Sequence, residues 1–181
     1  MSDPARDQPN PRETPARRGL EQARRVLLLT TDDDDPSFAA ARQAMADLSR
    51  RTGAEVVLYD RSGETWGDTP HPSGPLPADD PLLDDRPHLR RQLEELGDRG
   101  VTASAWMSTL PSSSATTTPV LELDIDAVVV PMGMDRSLAD RLIPGSDMAS
   151  TVQHVLDVNL PQNVLVVAVD EHGHVVGADE G

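Results

Sequence analysis

Five short apolar runs, separated by helical or turn segments, limit what this chain can fold into. They are Val26–Leu29, Glu55–Tyr59, Val101–Met107, Ala127–Val130 and Val164–Val169. Four are nearly unbroken in Val, Leu and Ala, which suits strands buried on both faces. The third alternates, placing Val101, Ala103, Ala105 and Met107 on one side. Between the first two runs, Asp35-Pro36 reads as a helix N-cap and first-turn proline. Behind it Phe38, Ala41, Met45 and Leu48 recur at steps of three and four, a single helix stripe, and Gly53 is placed to end it. Strand, helix, strand at this spacing implies a crossover and parallel pairing. A second stripe, Leu89, Leu93 and Leu96, precedes Gly97 and Gly100. PSSSATTTP is a poor helix former, so the next crossover shrinks to a short helix from Pro119, capped by Thr118. A turn of helix over 137–143 and a longer helix over 146–158 complete the alternation. Repeated β–α units of this kind make a three-layer, doubly wound α/β domain with a five-stranded parallel sheet.

The 181 residues suffice for one such domain. Residues 1–24, rich in proline and arginine, cannot bury enough surface to offset their ordering entropy and are expected to be a disordered leader. Residues 25–170 form the domain. Within it 61–85, carrying Pro70, Pro72, Pro75, Pro77 and Pro81, is a proline-rich insertion without periodicity. Residues 171–181 are expected to be a flexible tail. No apolar run approaches a membrane span and the first residues are polar, so a cytoplasmic protein without a membrane partner is expected.

Composition removes several chemistries. There is no Cys and no Lys, and all 16 basic residues are Arg. Disulfides, thiolate metal sites, thiol catalysis, Schiff bases and a phosphate-binding lysine are therefore excluded. A net charge of −15 repels phosphate backbones, so no nucleic-acid partner is expected.

Ligands of doubly wound sheets sit at the carboxyl ends of the strands, here the loops TTDDDD, DRSG and PMGMDRS. The carboxylates Asp32 to Asp35 have the oxygen chemistry that holds Mg²⁺. The plainer assignment makes Asp35 a helix cap with solvated neighbours near a positive helix end. Gly145-Ser146 opens the last helix, where free amides either hold a phosphate or are capped by Ser146 or Asp147. His71, His88, His154, His172 and His174 read as solvated surface histidines. Neither a Gly-x-Ser-x-Gly elbow nor a His-Glu-x-x-His pair occurs, so no catalytic residue and no metal ligand is assigned.

In order and spacing, residues 25–170 resemble the universal stress protein family. The segments that carry the resemblance are VLLLTTDDDDPSFAAARQAMADLSRRTGAEVVLY, LRRQLEELGDRGVTASAWM, DIDAVVVPMGM, PGSDMASTVQHVL and NVLVVAV. The resemblance implies strand order 3-2-1-4-5, the adenine-nucleotide alpha-hydrolase-like arrangement. It also implies that Thr31 and Asp32 lie at the adenosine end of a nucleotide site. Met132, Gly133, Arg136, Gly145 and Ser146 would form its phosphate loop. The family's ATP pattern is Gly, two residues, Gly, nine residues, Gly, then Ser or Thr. Here Arg136 stands where the middle glycine belongs, and only Ser137 to Pro144 separate it from Gly145. The loop is one residue short and lacks the glycine that lets backbone approach phosphate. The strand-two position that meets adenine falls near Asp60 or Arg61, a polar departure.

By resemblance the chain is thus a degenerate member. It is expected to act as a homodimeric interaction module in a stress response, with protein partners not named by the sequence, weak or no nucleotide binding, no assured cofactor and no catalysis. Two other readings remain open: an ATP-binding sensor of the same family, taking ATP and Mg²⁺, and a Mg²⁺-dependent phosphatase using Asp32 or Asp33. The resemblance also implies pairing through the last strand, here at Val164, Val166, Val167 and Val169, which fits the need of an apolar edge strand for a partner.

Overall fold

The structure, a computed structural model, describes residues 15–32, 34–60, 74–107, 119–133 and 160–177. The strands are β1 (Arg25–Thr30), β2 (Glu55–Asp60), β3 (Ala103–Met107), β4 (Ala127–Pro131), β5 (Leu165–Val169) and β6 (Val175–Gly177). They form one sheet in the order β3-β2-β1-β4-β5-β6. The first five are parallel in the expected order 3-2-1-4-5, while β6 is antiparallel to β5. The parallel part of the fold is that of the doubly wound α/β class.

Alternate strand residues serve two cores. Val26, Leu28, Val56, Leu58, Ala105, Met107 and Val129 face one side. Leu27, Leu29, Val57, Tyr59, Trp106, Val128 and Val130 face the other. The first side is covered by α2 (Pro36–Thr52) and α3 (Pro87–Asp98). The second receives Val120 from a helical stretch at 119–122, together with Ile125 and Phe38. α2 forms as its sequence dictates. The Asp35 carboxylate accepts the Ser37 amide proton at 2.9 Å, Pro36 opens the first turn, and Gly53 ends the helix in a left-handed conformation.

Three expectations need correction. Residues 15–22 of the expected leader form a helix, α1 (Pro15–Gln22). Ala16, Leu20 and Ala23, at steps of four and three, pack on the first core, with Leu20 only 2% exposed. The reason is geometric. On that face α2 packs against β1, β2, β4 and β5 and α3 against β2 and β3, and α1 adds the cover over β5 and β6, with Gly19 lying against the Leu165 side chain.

The insertion is not structureless throughout. Leu76 makes an antiparallel bridge to Ala105 on the outer edge of β3, with both N···O distances at 2.8 Å. A 3-10 turn (Pro81–Asp85) then buries Leu83. Arg90 on α3 ties this segment down, its guanidinium donating to the carbonyls of Ala78 at 3.0 Å and Asp80 at 2.9 Å.

The tail does not fray over 175–177. β6 pairs with β5 in the register Val167↔Gly177, Ala168↔Val176 and Val169↔Val175. The hairpin turn is built by Asp170, whose carboxylate accepts the amide protons of His172 at 2.9 Å and His174 at 2.8 Å. Gly173, at φ 79°, takes the left-handed position. β5 is therefore not the bare edge from which the expected dimer contact was inferred. Residues 134–159, with the two later helices expected there, lie outside the described residues, as does the Thr118 cap.

Two outcomes test these corrections. Leu20→Ala should cost about 2–5 kcal/mol in denaturant unfolding, as for any buried leucine, whereas an undocked leader would leave stability unchanged. Burial works against the Asp170 carboxylate, but the amides of His174 and His172 and the His174 ring outweigh it, holding its pKa below the usual carboxylate value. Such a group stabilises above its unfolded pKa, and the contribution is lost as pH falls through the folded value. Asp170→Asn should be less stable than the parent at neutral pH. The gap between their unfolding curves should close below about pH 4; a gap that stays constant overturns this role.

Candidate functional site at the carboxyl ends of the strands

β1, β2 and β4 end side by side, so Thr30, Thr31, Asp60, Met132 and Gly133 share one end of the sheet. α3 crosses above it. His88 and Gln92, four residues apart and so on one face, reach down to neighbouring strands. The His88 ring Nε2 lies 2.9 Å from Asp60 Oδ2 at the end of β2. The Thr30 hydroxyl donates to Gln92 Oε1 at 2.8 Å, and Gln92 Nε2 donates to the Thr31 carbonyl at 3.1 Å. Thr30 and Asp60 are paired in register, so the two contacts form adjacent rungs. Thr30, Asp60 and Gln92 are 1%, 2% and 4% exposed, so these polar groups are satisfied within the protein rather than by solvent.

A second knot joins the loop after β4 to the start of α2. The Gly133 amide donates to Ser37 Oγ at 2.7 Å, and Ser37 in turn is held by the Asp35 cap. Gly133 is glycine for a steric reason. A Cβ there would collide with the Asp35 carboxylate and stand 2.6 Å from Ser37 Oγ. The negative charge of Asp35 thus sits beside the glycine that the sequence places in a phosphate loop.

Of the expected nucleotide residues, Thr31 is half-buried with its carbonyl engaged, Asp32 is exposed, Met132 is 41% exposed, and Gly133 is buried. These four are brought to one end of the sheet. Arg136, Gly145 and Ser146 lie outside the described residues, as do Asp33 and Arg61. Val166, Val167 and Val169 fall on β5, with Val164 just before it. Val164 and Val166 pack toward one core, while Val167 and Val169 belong to the other.

His88 corrects the expectation of solvated histidines: its side chain is 12% exposed and bonded to Asp60. His172 and His174 are exposed, and His71 and His154 lie outside the described residues. Gln92 and Ser37 were not singled out from the sequence, and His88 was read there only as a surface histidine. The available signal was position: His88 and Gln92 immediately precede Leu89 and Leu93 of the buried stripe, at the margin of its face. Among the described residues, no three His, Asp or Glu side chains gather where they could hold a metal ion. None of the described helices is long and apolar enough to cross a membrane.

No protein-family model matches the chain, and no curated protein matches it. Solved structures do. One is a universal stress protein in complex with cAMP, 17% identical, with TM-score 0.48, covering 81% of this chain and 97% of that one. Another is a universal stress protein from Archaeoglobus fulgidus, 15% identical, TM-score 0.47, covering 78% of this chain and 91% of that one. A third is a universal stress protein family protein from Arabidopsis thaliana with AMP bound, 15% identical, TM-score 0.44, covering 79% and 91%. These are among the solved proteins the chain is similar to. Its own architecture is read from strand order and register.

The Gly133 knot has a measurable consequence. Gly133→Ala should destabilise by about 1–3 kcal/mol through overpacking against Asp35 and Ser37. In a Ser37→Gly background the cost should shrink, since one of the colliding groups is gone. Equal costs in both backgrounds would show that the close approach is not what demands glycine.

Proposed function

We propose that this chain is a universal-stress-protein-like regulatory protein that works by interaction, with weak or no nucleotide binding and no catalysis. The observation that carries the proposal is the Gly133 amide, which donates to Ser37 Oγ with the Asp35 carboxylate alongside. A phosphate needs such amides free and meets like charge unfavourably. The Thr31 carbonyl supports the same reading, since Gln92 already donates to it. Asp60, on the strand expected to meet adenine, is bonded instead to His88. The Thr31 carbonyl, the Asp60 carboxylate and the Gly133 amide must each first give up a bond within the protein to meet a nucleotide, which lowers affinity by that cost.

A sensor that binds ATP with Mg²⁺ is the second reading. The exposure of Asp32 at the end of β1 favours it, because a carboxylate there is free to meet a hydroxyl or a hydrated cation. Native mass spectrometry and calorimetry with ATP, AMP and Mg²⁺ separate the two. The interaction reading expects no adenine nucleotide carried through purification and dissociation constants weaker than about 1 mM. Micromolar binding, or nucleotide retained on the purified chain, overturns it in favour of the sensor.

A further inference from the structure

We propose that His172 and His174, on the turn between β5 and β6, form a two-histidine site for a divalent transition cation, with Asp170 as the residue that positions it. The inference goes beyond the functional reading above and does not rest on it.

The two rings face each other across the turn, with centres 5.9 Å apart and planes tilted by 59°. An ion held by one nitrogen of each ring at about 2.0 Å brings the ring centres to roughly 5 Å. Both side chains are exposed, so small rotations close that difference and an ion reaches them directly from solvent.

The turn is fixed before any ion arrives. Asp170 Oδ1 accepts the amide protons of His172 at 2.9 Å and His174 at 2.8 Å. Backbone bonds of 3.1 Å close it further, from the Gly173 amide to the Asp170 carbonyl and from the Asp170 amide to the His174 carbonyl. The other carboxylate oxygen, Oδ2, lies 3.1 Å from His174 Nδ1. A carboxylate only accepts, so Nδ1 carries the proton and donates it, and Nε2 of the neutral ring keeps its lone pair. A ring that donates to a carboxylate through one nitrogen is held in orientation and is a more basic metal ligand through the other. His172 Nε2 stands 3.6 Å from Glu171 Oε1, too far for a hydrogen bond, and that carboxylate adds negative charge beside it.

The donors select the ion. Two neutral imidazoles suit Zn²⁺, Ni²⁺ and Cu²⁺, whereas Mg²⁺ prefers oxygen ligands. Among the described residues no third His, Asp or Glu side chain completes a cluster, so water fills the remaining positions. The net charge of −15 draws cations toward the surface.

Calorimetry on the full chain, free of any affinity tag and stripped with a chelator, tests the site. With Mg²⁺ in excess, one Zn²⁺ per chain should bind with a dissociation constant below about 0.1 mM. His172→Ala and His174→Ala remove exposed side chains and keep the fold, and each should weaken binding by more than about tenfold. Replacing His71 and His154 together by Ala should leave binding unchanged. Asp170→Asn offers Nδ1 a donor in place of an acceptor and moves the ring proton to Nε2. The folded Asp170→Asn chain should bind about 10–100-fold more weakly. With Cu²⁺, electron paramagnetic resonance should show splitting from two imidazole nitrogens in the parent and from one in each single-histidine variant. Weaker binding by the parent overturns the proposal, as does binding or two-nitrogen splitting that survives the loss of His172 or His174. Folded Asp170→Asn that binds as tightly as the parent overturns the positioning role of Asp170.

Discussion

A parallel sheet whose strands are almost wholly Val, Leu and Ala has to hide two faces and two edges, and that demand organises everything around it. Val26 to Leu29 are all at or below 1% exposure, so β1 tolerates no water on either side. On one face α2 packs against β1, β2, β4 and β5 and α3 against β2 and β3, and that cover stops short of β6. The remaining cover has to be recruited from segments that a simple doubly wound pattern leaves over. α1 is recruited to the face beyond β1, the segment around Leu76 to the outer edge of β3, and β6 to the outer edge of β5. With one Phe, one Tyr and two Trp in the whole chain, large aromatic side chains are not available for this work. Short added elements substitute for bulk.

The carboxyl ends of the strands meet the opposite demand, because polar groups collect there. In an open crevice water or a ligand would satisfy them. Here the protein does much of it. Thr30 and Thr31 are joined to Gln92, Asp60 to His88, and Gly133 to Ser37. α3 is consequently fixed to the sheet by two polar rungs above as well as by Leu89, Leu93 and Leu96 below. On the function proposed above, the same rungs that stabilise the helix reduce what the crevice can offer a ligand. Stability and affinity therefore compete for one set of atoms, and in this chain the described contacts favour stability.

Much of the fold was legible because periodicity and turn chemistry are local. Asp35, Pro36 and Gly53 mark the ends of α2 by the groups they supply to the backbone, with no knowledge of what the helix packs on. Parallel pairing followed from the crossover helix, whereas the order 3-2-1-4-5 was implied by the family resemblance. What escaped the sequence reading depends on tertiary demand. The stripe Ala16, Leu20, Ala23 is too thin to hold a helix alone and is held by packing on β5, β6 and α2. β6 is three residues long, below what alternation can signal, and exists because β5 needs an edge partner. Leu76 sits among prolines that advertise a loop, yet the edge of β3 takes it. At the site, Thr31, Asp32, Met132 and Gly133 lie at the carboxyl ends of β1 and β4. The bonds that occupy Thr31 and Gly133 were not foreseeable, since Gln92 and Ser37 come from helices whose rotation a sequence stripe fixes only approximately.

The three recruited covers are not equivalent. The segment at Leu76 is tied to α3 by Arg90 and anchored by the fully buried Leu83, so it shares the stability of the central core. The cover of β5 leans on one buried leucine of α1 and on a turn whose bonds are exposed to solvent. Sub-global opening starts where buried apolar contact is sparse and hydrogen bonds are solvated. Of the two edges, that of β5 is thus held by the sparser set of buried contacts.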